Sequence, residues 1–89
     1  MSDILKRFEL SSSMVKKLKT KPSDDELLQL YGLFKQSMSG DCDIAEPSRI
    51  YFKEHAKWKA WYSLKNTTKQ NAMINYSDLV MILIDKYKI

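Results

Sequence analysis

Apolar residues recur along this chain at intervals of three and four, the spacing of one helix face. Ile4, Leu5, Phe8, Val15 and Leu18 predict a first helix over about residues 4–18, its stripe diluted by Ser11 to Ser13. Ser23 and Glu26 then form a capping box, and Asp24, Asp25 and Glu26 suit the positive end of a helix dipole. Leu27, Leu30, Tyr31, Phe34 and Met38 continue that second helix, which should stop just before Gly40. Residues 40–52 carry turn formers and no sustained period, so they predict a long connection crossing the domain. A third helix is expected over about residues 53–65, with Trp58, Trp61 and Leu64 as its apolar surface. Thr67 and Gln70 offer another capping box, ahead of a stripe of Met73, Tyr76, Leu79, Val80, Leu83, Ile84 and Tyr87. The chain therefore reads as all-α, with four helices and one long crossing connection.

Composition narrows what such a molecule can do. Only two glycines and two prolines punctuate 89 residues, which favours long helices over many short strands. Length fits one domain over residues 1–89, with a folded surface of roughly 5,400 Å². No apolar run approaches the ~18 residues of a membrane span, and the amino terminus lacks the apolar segment of a secretory signal. Cys42 is the only cysteine, so no internal disulfide can form and a cytoplasmic, reducing setting is expected. With His55 as the only histidine, a His-rich or Cys-rich zinc site cannot assemble, and no nucleophile elbow is present. The reading is of a protein that is not an enzyme and holds no metal.

Charge is distributed in blocks. Residues 1–23 hold six basic and two acidic side chains, residues 24–46 one and six, residues 47–69 six and one, and the remainder two of each. Such blocks fit an anionic partner met on one side of the molecule. A nucleic acid is a poor candidate, because the chain has two arginines, Arg7 and Arg49, and none of the usual recognition spacings. Tyr31 and Lys35 share one helix face, as do Lys53 and Lys57. Lysines can hold mobile phosphates and an aromatic face can stack on a purine, so these residues point to a phosphorylated nucleotide. Bland readings stand beside this one. Trp58 and Trp61 are read first as core, the methionines as packing filler, and His55 as a surface polar residue. The interior Gly32 is either neutral or a mark of close approach by another segment or a ligand. A helical protein-interaction module without a small-molecule ligand is the alternative.

The segment KTKPSDDELLQLYGLFKQSMSGD, residues 19–41, together with AKWKAW at 56–61, TTKQNAM, Tyr76 and the terminal DKYKI, resembles the acyl-CoA-binding protein family over essentially the whole chain. That resemblance implies a left-handed up-down-down-up four-helix bundle that binds medium- to long-chain acyl-CoA thioesters and carries or buffers them in the cytosol. It implies no cofactor, since acyl-CoA is the carried ligand, and a monomer without stable membrane insertion that meets acyl-CoA-using enzymes or membranes transiently. It places adenine contacts at Tyr31 and Tyr76, phosphate contacts at Lys35 and Lys57, a further polar contact at Lys53, and Lys16 and Lys21 near the mouth. Phe8, Val15, Leu18, Leu27, Trp58 and Leu83 match mainly structural positions. The chain departs from the family pattern at Ser11, Ser12, Phe34, Tyr51, Glu54, His55 and Lys59, and Lys88 stands where glycine is customary.

Overall fold

The computed structural model describes residues 2–88, so Ile89 of the DKYKI match lies outside the described residues. Four α-helices form: α1 at Ser2–Val15, α2 at Asp24–Ser39, α3 at Phe52–Tyr62 and α4 at Lys69–Tyr87. The start of α2 is as expected: the Ser23 side chain accepts from the Glu26 N–H, and the Glu26 carboxylate accepts from the Ser23 N–H. Gly40, at φ +79°, ends it in a backbone conformation that side chains disfavour.

Three boundaries differ from the periodicity. Helix α1 ends at Val15, and the chain runs on through turn bonds from Lys17 and Leu18 toward Pro22, which disfavours helix at Lys21. Helix α3 ends at Tyr62, tightening into i→i+3 bonds at Leu64 and Lys65 before Asn66 adopts φ +75°. The cap of α4 is Thr68, whose hydroxyl accepts from the Asn71 N–H, whereas the Thr67 carbonyl is taken by the Gln36 amide at 2.7 Å. A tertiary bond thus anchors the residue just ahead of the cap.

Helix α1 packs on α4, α4 on α2, and α2 on α3. Phe8 meets Phe34, while Val15 and Leu27 face one depression, so α1 and α2 are antiparallel. Glu26 bonds Lys86 and Gln36 bonds Thr67, so α2 and α4 are antiparallel as well. Lys57 lies over Tyr31 and Trp61 under Lys35, which makes α2 and α3 parallel. The order is up-down-down-up, and the parallel step explains the long connection, which must return the chain along the full length of α2. The Cα trace measures 36 × 31 × 14 Å, a flattened body. Its surface of 6239 Å² exceeds the roughly 5,400 Å² expected for this mass, as a flat shape requires.

Phe8, Leu30, Tyr76, Val80 and Leu83 make the core, with Val15, Leu18 and Leu27 packed against it. The α4 stripe behaves as predicted. On α2 the buried face is displaced: Gly32, Gln36 and Ser37 are buried, whereas Phe34 and Met38 are exposed, because α2 serves two neighbours at once. Gly32 faces α3 so closely that a Cβ there would lie 2.6 Å from the Ala60 carbonyl oxygen, which settles its role as a point of helix contact. Ser11 is buried, so the apparent gap in the α1 stripe is part of its packed side.

Candidate functional site

Buried Gln36 organises the end of α2. Its amide donates to Asp41 and to the Thr67 carbonyl, Asp41 also accepts from the Asn66 N–H, and the Trp61 indole donates to the Gly40 carbonyl. The bonds from Gln36 and then from the Asn66 N–H hold the Asp41 carboxyl below its ordinary pKa. They tie the crossing connection and the α3–α4 link to one point, which fixes α3 beside α2. Trp61 is core, as read from the sequence. Trp58 is only partly buried: its indole donates to the Ile44 carbonyl and its ring stacks on exposed Tyr62, so it pins the connection instead of filling the bundle. His55 closes on Glu46 at 2.7 Å on the same side.

Two depressions flank α2, one toward α1 and α4 and one toward α3, and share Leu27 and Tyr31 as a ridge. One, of about 350 Å³, is walled by Val15, Lys16, Leu30, Phe34 and Tyr76. The other, of about 370 Å³, is walled by Leu28, Phe52, Lys53, Ala56 and Lys57, with Asp24 at its edge. The Lys57 ammonium stands 5.7 Å from the centre of the Tyr31 ring, and Lys35 stands 4.8 Å from that of Trp61. Tyr31 is therefore approached by a lysine from α3, while its own helix neighbour Lys35 turns to the tryptophan.

Of the seven candidate residues, Lys16, Tyr31 and Tyr76 border the first depression, and Tyr31, Lys53 and Lys57 the second. Lys35 borders neither, and Lys21 adjoins the first only through Pro22. Tyr76 is only 5% exposed, with Phe8 and Phe34 against its ring, so an incoming molecule meets little of its aromatic face. Burial pushes its phenol pKa up, keeping the hydroxyl protonated. Among the described residues, none of Lys16, Lys21, Lys35, Lys53 and Lys57 pairs with a carboxylate, although several other cations do. Unpaired lysines around an apolar, aromatic-ridged depression can take an anion joined to an apolar body.

Phe52, Leu28 and Ala56 were not singled out from the sequence. Phe52 falls where the periodic signal stops, and only the parallel packing of α2 and α3 brings it opposite Leu28. Among the described residues no three His, Cys, Asp or Glu side chains are placed to hold a metal ion, and no helix is long and apolar enough to cross a membrane.

The sequence model of the family described as "Acyl CoA binding protein" matches residues 5–80. The acyl-CoA-binding protein of Dictyostelium discoideum is 46% identical over 80 residues, spanning 90% of this chain and 95% of that protein. The crystal structure of Oryza sativa acyl-CoA-binding protein 2 superposes with a TM-score of 0.91 at 29% identity, over 96% of this chain and 92% of that one. The solution structure of the yeast acyl coenzyme A binding protein gives 0.72 at 44% identity, over 92% and 95%. The helix order, the Tyr31 ridge on α2 and these likenesses agree, and the chain belongs to the acyl-CoA-binding protein family.

Proposed function

We propose that this chain binds a medium- to long-chain acyl-CoA, one molecule per monomer, and carries or buffers it in the cytosol. Proteins of this family are non-catalytic carriers, and the thioester leaves as it arrived. The observation that carries the reading is the pairing of unpartnered lysines with two apolar depressions on either side of Tyr31. In this reading residues 1–89 act as one binding unit. Lys57 and Lys35 neutralise the phosphates, Lys53 adds a polar contact, and Lys16 and Lys21 lie at the mouth. Tyr31 supplies the aromatic contact to adenine, and Tyr76, ring-packed and protonated, contributes a hydroxyl hydrogen bond. The acyl chain lies against Leu27, Leu28 and Phe52, removing apolar area from water at ~25 cal/mol per Å².

Calorimetry with palmitoyl-CoA, free CoA and palmitate tests this directly. Palmitoyl-CoA should bind far more tightly than either part. Similar weak binding by all three would sink the reading, and tighter binding of an oligonucleotide with strong salt dependence would replace it. Mass spectrometry after long incubation should recover the thioester intact.

A further inference from the structure

The crossing connection ends in three consecutive large apolar residues that the fold leaves in solvent. Ile50, Tyr51 and Phe52 are 77%, 60% and 76% exposed, at the point where α3 begins. No ring stacks on Tyr51 or Phe52 among the described residues. Three such side chains in a row form apolar surface that the fold does not remove from water.

Their surroundings are cationic. Residues 49–59 contain Arg49, Lys53, Lys57 and Lys59 against a single acid, Glu54. The Arg49 side chain is 85% exposed and only 3.9 Å from Glu46, a loose contact, and the three lysines have no carboxylate partner among the described residues. The exposed Met81 and Ile82 of α4 lack this setting, standing one helical turn from Asp85 and Asp78.

We propose that the Ile50–Phe52 tip is an interfacial anchor that docks the protein on an anionic lipid bilayer, with Arg49, Lys53, Lys57 and Lys59 meeting the headgroups. An apolar and aromatic tip flanked on both sides in sequence by basic residues matches the two attractions that hold a protein at such a surface. A protein partner fits less well, because a stable interface uses roughly 20–30 residues a side, whereas a bilayer accepts a three-residue wedge without shape complementarity. Phe52 and Lys53 also wall the second depression, so docking would set that depression against the membrane. The purpose of the contact rests on the acyl-CoA reading, since an amphiphilic cargo must leave or enter a bilayer. The contact itself does not.

Co-sedimentation of the ligand-free protein with vesicles tests it, using equal parts phosphatidylserine and phosphatidylcholine against phosphatidylcholine alone. The protein should sediment with the anionic vesicles only, and less so as salt rises. Ile50→Ser with Tyr51→Ser should lower partitioning about ten-fold or more, and Arg49→Gln roughly five-fold. Both variants should keep wild-type affinity for palmitoyl-CoA, because none of these residues borders the depressions. Failure of the wild type to sediment with anionic vesicles at low salt overturns the proposal. So does unchanged partitioning of the double variant. Vesicle binding without palmitoyl-CoA binding would defeat the carrier reading alone and leave the anchor standing.

Discussion

Lys57 is the lysine whose surroundings say most about its task. It reaches across from α3 to the Tyr31 ring, has no carboxylate partner among the described residues, and borders the same depression as Lys53. Replacing it with alanine should remove a charge-assisted bond of roughly 1.5–3 kcal/mol and weaken acyl-CoA binding roughly 10- to 150-fold. Calorimetry with a ligand lacking the ribose phosphate checks the partner: loss of that phosphate should cost little further in Lys57→Ala, and fully additive losses would assign it elsewhere. Lys88 shows a different residue-scale cost. It caps α4 at φ 61° and ψ 147°, a region that only glycine occupies freely. The resemblance to the family marked this position as one where glycine is customary, and the backbone supplies the reason. Lys88→Gly should raise stability by about 1 kcal/mol, read from urea unfolding, once the added freedom of the unfolded glycine is deducted. Among the candidate site residues, the sequence made the shared faces of Tyr31 with Lys35 and of Lys53 with Lys57 legible. It could not show that Lys35 turns toward Trp61, because i,i+4 spacing fixes a face but not which neighbouring helix a long side chain meets.

At the scale of elements, the ends of the helices carry more tertiary information than their middles. The α2 cap was readable because Ser23, Glu26 and the acids between them act locally. The α4 cap was not: two adjacent threonines offered it, and the chain ahead of it is held by Gln36, 31 residues away from Thr67 in sequence. Glu26 has a second role with no local signature: the Lys86 ammonium bonds it at 2.7 Å and the Tyr87 hydroxyl donates to it, joining the start of α2 to the end of α4. These partners, Lys86 foremost, hold its pKa at about 2 instead of 4.5. A carboxyl whose pKa falls on folding stabilises the native state above its unfolded pKa and loses that contribution as pH drops through the folded one. Thermal unfolding should therefore be insensitive to this group near neutrality and fall between pH 4.5 and about 2. Glu26→Gln should lower the neutral melting temperature and flatten the acid slope. An unchanged slope in that variant would mean that other carboxylates govern acid unfolding. Helix existence and the α4 core face were thus available from periodicity, whereas the early ends of α1 and α3 depend on where the chain must turn to reach its next partner.

For the whole molecule, the order of contacts α1, α4, α2, α3 in a body only 14 Å deep explains why neither depression is enclosed. Lengthening the acyl chain should first tighten binding, by up to ~0.8 kcal/mol for each methylene that is fully buried, and then plateau once carbon extends past the apolar wall. A calorimetric series from short to very long acyl-CoA would locate that limit, and indifference to length would exclude a specific acyl path. Fold class could be read from so few glycines and prolines, but flatness could not, since amphipathic stripes fix which faces are covered and not how many layers cover them. A body this flat keeps only a small interior of its own. With an acyl chain laid along Leu27, Leu28 and Phe52, a solvent-facing wall becomes interior, and protein and cargo share a single core. Loading is then the closing act of folding, and every delivery leaves the carrier with part of its interior turned outward.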